Sequence, residues 1–413
     1  MSAPLSLAGF ALLLQGEAGY FLSGGVPRPT PQFGAVQRNR PYVSLRADAT
    51  RTSGSGRGKR EWGLSSHVRF WSDLQGESAT PRLELQVQDL SLFWESEWVR
   101  VSAGCQVVTW TDSFGIFPAD VVNPRDHRDP VFNDLGWIRQ AVPLLRTEWT
   151  LGGGVELDAM VSPFGQHSVL PVGGTLFDPL SQTCSQCART SPTRLPWEGG
   201  GRLRLDVGGG FVSSVLAYTH ANRNLALVSS ATLANTLEQA AERVTTYGLQ
   251  LSQDMGEGVI LRAESTYDSG AVFALQDASA IARTNSIKAL IGADWTTQGL
   301  PGKASSRWRM GTQYLFESRP AALGSAELHT LLANVQQKLD RPALEIDLQF
   351  LAGLNHQDLW IRPMLSGPIG DSSRWSLRAD FLVSQSSAGA VPGGYFAGLY
   401  DRNRILSWLS FRF

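Results

Sequence analysis

Stretch after stretch of this chain alternates apolar and polar residues one for one over roughly ten positions, and nothing else limits its fold so sharply. Successive side chains of a β-strand point to opposite faces, so strict alternation marks a strand whose two faces meet different surroundings. Leu83, Leu85 and Val87 alternate with Arg82, Glu84, Gln86 and Gln88. Val259, Leu261, Ala263 and Tyr267 alternate with Arg262, Glu264, Thr266 and Asp268. The same two-residue period carries Ile287, Ala289, Ile291, Ala293 and Trp295 against Lys288, Gly292 and Asp294, and Trp308 to Phe316 against Arg307, Arg309, Gln313 and Glu317. It returns in Leu344 to Phe350 against Glu345, Asp347 and Gln349, and in Trp375 to Phe381 against Arg374, Ser376, Arg378 and Asp380.

Composition removes the other large classes. The chain has 413 residues, with 36 Lys and Arg against 37 Asp and Glu, so it lacks the basic excess of a nucleic-acid binder. Its 42% hydrophobic content is too high for a disordered chain, and three cysteines are too few for a disulfide-stapled scaffold. A helical membrane protein needs apolar runs of about 18 residues or more, and Leu5–Leu14 is roughly half that. What remains is a large β protein, either soluble or set in an outer membrane.

The links between strands favour the membrane. Short links at Glu95–Glu97, Gly152–Gly154, Gly208–Gly210, Gly256–Gly258 and Asp340–Pro342 take turns with long ones at Asp112–Gly136, Gly165–Glu198, Asn222–Ala241, Ser269–Arg283 and Ser386–Leu399. Short periplasmic turns and long extracellular loops give an up-and-down antiparallel transmembrane β-barrel this rhythm. Outward aromatics near strand ends (Trp62, Trp295, Trp308, Phe316, Trp375) fit interfacial girdles. The expectation is an all-β barrel of about 18 strands, with 16 the alternative, spanning residues 1–413 as one domain in a bacterial outer membrane.

The chain ends bear on the count. No Lys or Arg precedes Leu5–Leu14, as a secretory leader requires, so residues from about Phe10 onward read as the first strand. Residues 1–9 are then a leader remnant or a disordered start. At the other end Ile405, Leu409, Phe411 and Phe413 share one face, and Arg404, Ser410 and Arg412 the other. A last strand ending on Phe413 resembles the signal read by outer-membrane assembly machinery.

The richest segment runs Arg100-Val101-Ser102-Ala103-Gly104-Cys105-Gln106-Val107-Val108-Thr109-Trp110-Thr111-Asp112, followed by Asp120-Val121-Val122-Asn123-Pro124-Arg125-Asp126-His127-Arg128-Asp129. It resembles a Gly-Arg-Gln, Trp-Gly, Asn-Pro-x-Asp signature of a Gram-negative outer-membrane barrel family of largely unassigned function, loosely similar to alginate-export and porin-type barrels. The motif covers about Arg100 to Trp149. It departs from the pattern at Cys105, where Arg is expected, and at Thr111, where Gly is expected. Asn123-Pro124 punctuates a turn. Asp120, Asn123, Pro124, Arg125, Asp126, Arg128 and Asp129 then belong to a loop, 112–136, that either folds into the lumen as a constriction or stays a compact outer loop. Asp126, Arg128 and Asp129 are expected to brace it by ion pairs, and too few ligands gather there for a metal site.

Cys184 and Cys187 lie in the long extracellular loop 165–198, where a loop-closing disulfide is the simplest reading. Cys105 falls on the lipid-facing side of its strand. The histidines are scattered, and no nucleophile elbow, His-Glu-x-x-His or complete phosphate loop occurs, so the chain reads as a non-enzyme without cofactor.

The pore wall is expected to carry Arg82, Glu84, Arg100, Arg146 and Glu148 from the first half of the chain, with Arg202, Arg204 and Asp206 between. From the second half come Arg262, Glu264, Lys288, Asp294, Arg307, Arg309, Glu345, Asp347, Arg378 and Asp380. With both signs interspersed, neighbours should pair across strands. The functional expectation is a passive, porin-like channel for small polar or amphipathic solutes. A barrel anchoring an envelope secretion assembly for polysaccharide or protein is the alternative, and a membrane-embedded hydrolase the third reading. Outer-membrane lipid, lipopolysaccharide and the barrel assembly machinery are the expected partners, with envelope secretion proteins under the alternative and no nucleic acid.

Overall fold

The computed structural model describes residues 5–7, 10–25, 37–53, 60–73, 82–127, 138–169, 188–191, 196–223, 226–230, 235–240, 242–274, 281–297, 306–319, 327–340, 343–355, 358–384 and 404–412. In chain order the strands begin with β1 (Leu5–Leu7), β2 (Phe10–Gly25), β3 (Gln37–Ser53), β4 (Arg60–Asp73), β5 (Arg82–Glu95), β6 (Val99–Gln106), β7 (Val142–Gly152) and β8 (Val155–Ser162). There follow β9 (Ala188–Thr190), β10 (Glu198–Gly208), β11 (Phe211–Ala221), β12 (Leu227–Ser229), β13 (Thr236–Gln239), β14 (Arg243–Gly256) and β15 (Val259–Ala274). The last are β16 (Ile281–Thr297), β17 (Ser306–Ser318), β18 (Glu327–Asp340), β19 (Ala343–Gly353), β20 (Asp358–Ile369), β21 (Ser373–Ser384) and β22 (Arg404–Arg412).

Strand follows strand antiparallel through β8, β10, β11 and β14 to β22, and β22 then pairs with β2, from Glu17 opposite Arg412 to Gly25 opposite Arg404. That last ladder closes the ring. The 19-stranded sheet is this ring of 18 together with the short β1, which pairs with the first residues of β2. The remaining strands form a small separate sheet on the long-loop side, in which β13 pairs with both β12 and β9.

The two faces are inverted relative to a soluble protein. Outside, Leu83 is 78% exposed, Leu92 64% and Ile291 62%, while inside Glu264 is 3% exposed and Thr246 and Asp380 are fully covered. A continuous apolar exterior of this extent is incompatible with water and fits lipid. Trp62, Trp94, Trp295 and Trp308 lie on this exterior near the short-turn end.

Local chemistry explains the turns. Gly152, Gly153 and Gly154 have φ of 80°, 59° and 80°, a left-handed run that only glycine adopts cheaply, and Gly208–Gly210 repeat it. A Cβ at Gly154 would also stand 2.1 Å from the Asp206 carbonyl of the next hairpin.

Two sequence readings change. Ser269–Arg283 is not a long loop: β15 continues to Ala274 and β16 starts at Ile281, because a bulge at Gly270 (φ 77°) absorbs the irregularity and pairing resumes at Ala271 opposite Thr284. In β5 the alternation slips at a bulge where His67 faces Asp89 and Val68 faces Val87, so Gln88 is an inserted residue and Leu90, Leu92 and Trp94 stay outside.

Candidate functional site

The inner wall is a lattice of opposite charges. Arg146 reaches Asp158 at 2.9 and 2.7 Å and Glu148 at 2.8 Å. Arg100 meets Glu95 at 3.2 Å and Glu148 at 4.0 Å. Further round, Lys288 pairs with Asp268 at 2.9 Å, Arg262 with Asp294 at 2.9 Å, and Asp380 takes Arg362 at 2.9 Å and Arg378 at 3.3 Å. Asp347 accepts from Asn334 at 2.9 Å, and Glu345 meets Lys338 at 3.6 Å and also Arg374. Arg204 pairs with Glu156 at 3.0 Å, and Asp206 caps the Gly208 N–H. Glu84 stands opposite Trp71 on the inner face of β5, and Arg82 occupies that strand's first position. Arg307 and Arg309 share the face of buried Gln313 and are exposed to the lumen. At the short-turn mouth, Glu95, Glu148, Glu156, Asp158, Arg100 and Arg202 line a cavity of about 270 Å³.

Inside this wall lies the segment that follows β6. It leaves the strand end, passes along the inner faces of β8 to β19 and β21, and returns. Trp110 is fully buried: its indole donates to Asp158 at 2.8 Å, its ring meets Tyr218 edge-on, and its carbonyl accepts from Arg202 and Gln250. The next residues converge on one carboxylate. Glu264 Oε1 accepts from the hydroxyls of Thr111 and Ser113, each at 2.6 Å, and from the N–H groups of Asp112 and Ser113. Its Oε2 faces the Ala119 N–H at 3.4 Å. The tip then meets apolar wall. Ile116 is buried with Leu290, Leu315, Leu332, Leu351 and Leu382, with Phe114 and Trp360 against them. Phe114 rests over Gly311, where a Cβ would come within 2.3 Å of the ring.

The returning limb is braced in turn. Arg139 donates to Asp120 at 2.6 Å and stacks over Phe117. Asn123 accepts from the Val108 N–H and donates to the carbonyls of Gln106 and Gln140, tying both ends of the loop to the rim. The Pro124 carbonyl accepts from Gln140 N–H, Arg125 bonds Ser168 and Val169, and Asp126 is buried with its N–H on Ile138. Arg223 joins three segments, donating to Glu198 at 2.7 Å, to the Val122 carbonyl at 2.8 Å and to the Gln166 carbonyl. Burial, and next the charge of Arg125, push His127 down to about 4.

The ion pairs expected of Asp126 with Arg128 and Asp129 involve residues outside the described ones; among the described residues Asp120 and Arg139 also brace the loop. Arg128, Asp129, the Cys184–Cys187 reading and Phe413 lie outside the described residues. Cys105 is a free thiol opposite outward Leu90. Sequence reasoning missed Trp110, Thr111, Ser113, Arg139, Arg223 and the inward leucines. The leucines carried a signal: each interrupts an otherwise polar face, as Leu315 does between Gln313 and Glu317.

The fold is that of outer-membrane β-barrels. OccAB1 of Acinetobacter baumannii superposes with a TM-score of 0.56 at 9% identity, covering 100% of this chain and 99% of its own. OccK5 (OpdH) of Pseudomonas aeruginosa gives 0.54 at 9% identity over 97% of both chains. Salmonella typhi OmpF, solved with daunomycin, gives 0.52 at 9% identity over 100% of both. No protein-family model and no curated protein matches the sequence. At such identities the likeness establishes the architecture, and function has to come from the lumen.

Proposed function

We propose that this barrel is a porin-like outer-membrane channel through which small polar or amphipathic solutes diffuse passively. The observation that carries the reading is the placement of the loop. Between Trp110 and Val122 it bonds inward-facing groups of β8 to β17 and the nearby rim, its apolar tip packs on leucines of β16 to β19 and β21, and among the described residues it makes no hydrogen bond to β3–β5. A passage is thereby narrowed from one side, between the loop and the wall of β3 to β5. That wall offers Arg46 and Arg69, with Arg69 over Tyr42, a surface that suits hydrated solutes carrying negative or aromatic groups.

In this reading lipid meets the apolar belt, lipopolysaccharide surrounds the long-loop end, and the last strand is read by the assembly machinery. The loop sets the aperture, with no cofactor and no energy coupling. Planar-bilayer recording tests it: the intact chain should give open steps of constant size, and deleting 112–136 should enlarge them about twofold or more. A silent barrel that co-purifies with periplasmic proteins would overturn the channel in favour of a secretion anchor.

A further inference from the structure

Charged neighbours on this wall follow a rule. Arg100 stands directly opposite Glu95 and Glu148, Arg202 opposite Asp158, Arg204 opposite Glu156, and Lys288 opposite Glu317. Where two acids face each other an arginine serves the position: Arg146 bonds both Glu148 and Asp158, and Arg100 takes Glu95 where it faces Glu61. Among the described residues one ladder position departs from the rule. Arg307 of β17 lies directly opposite Lys338 of β18, and like charges in that relation destabilise a sheet.

Arg309 stands two residues along the same inward face, and Arg374 of β21 completes the group at the short-turn end. The carboxylate among them is Glu345, which already meets Lys338, Arg374 and the Gln336 amide. Other acids at this level are engaged or lie in turns: Asp294 with Arg262, Asp347 with Asn334, and Asp340 at the end of its strand. Neither Arg307 nor Arg309 has an ion-pair partner among the described residues, and both are open to the lumen.

We infer that Arg307, Arg309, Lys338 and Arg374 form a binding site for polyvalent oxyanions on the inner wall of the periplasmic vestibule. The wall sustains uncompensated positive charge there, and a solute bearing two or more carboxylate or phosphate oxygens is the chemistry that neutralises it. Arginine forks opposite a lysine suit a ligand with several acceptor groups better than a single chloride. The acid-lined cavity at β5–β10 belongs to the same short-turn end, so the vestibule carries its positive charge at β17–β21. The inference rests on the channel reading for its route of access.

The test uses the full chain, with citrate and pyrophosphate as probes and acetate as the monovalent control. Added to the short-turn side of a bilayer channel in KCl, millimolar citrate or pyrophosphate should reduce open current reversibly, less so as KCl rises. Acetate should not. In the double variant Arg307→Gln, Arg309→Gln the blocking concentration should rise about tenfold relative to that variant's own open current. Equal block in the double variant, or equal block by acetate, overturns the site while leaving a conducting channel. If no current appears at all the channel reading fails instead, and calorimetric titration of the detergent-solubilised barrel with the same anions, parent against double variant, decides the site alone. Citrate binding without pyrophosphate binding assigns it to carboxylates, the reverse to phosphates, and neither overturns it.

Discussion

The upper and lower parts of the lumen are built from the same residue types and use them in opposite ways. Around the loop, charges are closed: Glu264 accepts from four loop residues, Asp120 holds Arg139, and Arg223 holds Glu198. At the short-turn end of β17 and β18 some charges stay open: Arg307 faces Lys338, whose carboxylate partner Glu345 lies on its other side, and Arg307 and Arg309 have no ion-pair partner among the described residues. The contrast teaches that a charge on a barrel wall has two uses. Buried and saturated with donors, it fixes a backbone segment in place. Exposed and unmatched, it leaves a field for whatever passes.

Removing the most saturated charge should break the upper part most. Glu264→Ala would leave the hydroxyl of Thr111 and the N–H groups of Asp112, Ser113 and Ala119 facing a void. Of these the Thr111 hydroxyl and the Ala119 N–H are buried, and buried donors stripped of a charged acceptor cost about 1–3 kcal/mol each, so a loss of about 2 kcal/mol or more is expected in loop seating. The strands keep their ladders, so the barrel still forms while the loop leaves the wall. Single-channel recording should show larger and noisier steps than the parent. Steps of parental size and quietness would mean that the apolar tip on Leu290, Leu315 and Leu332 holds the loop without Glu264.

The returning limb gives a smaller, pH-dependent effect. His127 is held neutral with its Nε2 buried and without a hydrogen-bond partner among the described residues, and titrates at about 4 rather than the usual 6.5. An unseated limb therefore binds more protons than a seated one between those values. Seating is at full strength above about 6.5 and is lost progressively as pH falls toward 4. Hydrogen exchange of the Val169 and Asp126 N–H groups should accelerate over that window, and His127→Gln should flatten the dependence. An identical pH profile in the variant would assign the effect to the neighbouring carboxylates.

Much of the barrel was legible because its signals are local and repeated. Alternation placed Lys288 and Asp294 inside and Ile291 outside, and the glycine triplets marked hairpins whose φ values match. What failed was of another kind. The bulge at Gly270 reads in sequence like a loop, since a glycine beside Ser269 and Asp268 has the composition of a turn, and only its pairing shows that the strand continues. The seating of the loop rests on contacts across up to 197 positions, such as Ile116 N–H to Gln313, and no periodicity reports those. The inward leucines came closest: apolar residues on the wet face of β16 to β19 and β21 require an apolar cover, and Phe114 and Ile116 supply it.

The smallest effect tests the open part directly. If Arg307 opposite Lys338 is a cost that the wall carries, then Arg307→Glu, which creates an opposite-charge pair at that register, should stabilise the barrel. The gain expected for such a cross-strand exchange is about 0.2–1 kcal/mol, read as slower unfolding in urea or a higher melting temperature in detergent. The same substitution should shift the reversal potential in a KCl gradient toward potassium, because it takes one positive charge from the vestibule and adds a negative one. Stability and anion attraction would then move in opposite directions from a single change. A variant that is less stable than the parent, with Lys338 still exposed, would show that Arg307 serves packing at the strand end and that the register opposite Lys338 costs nothing.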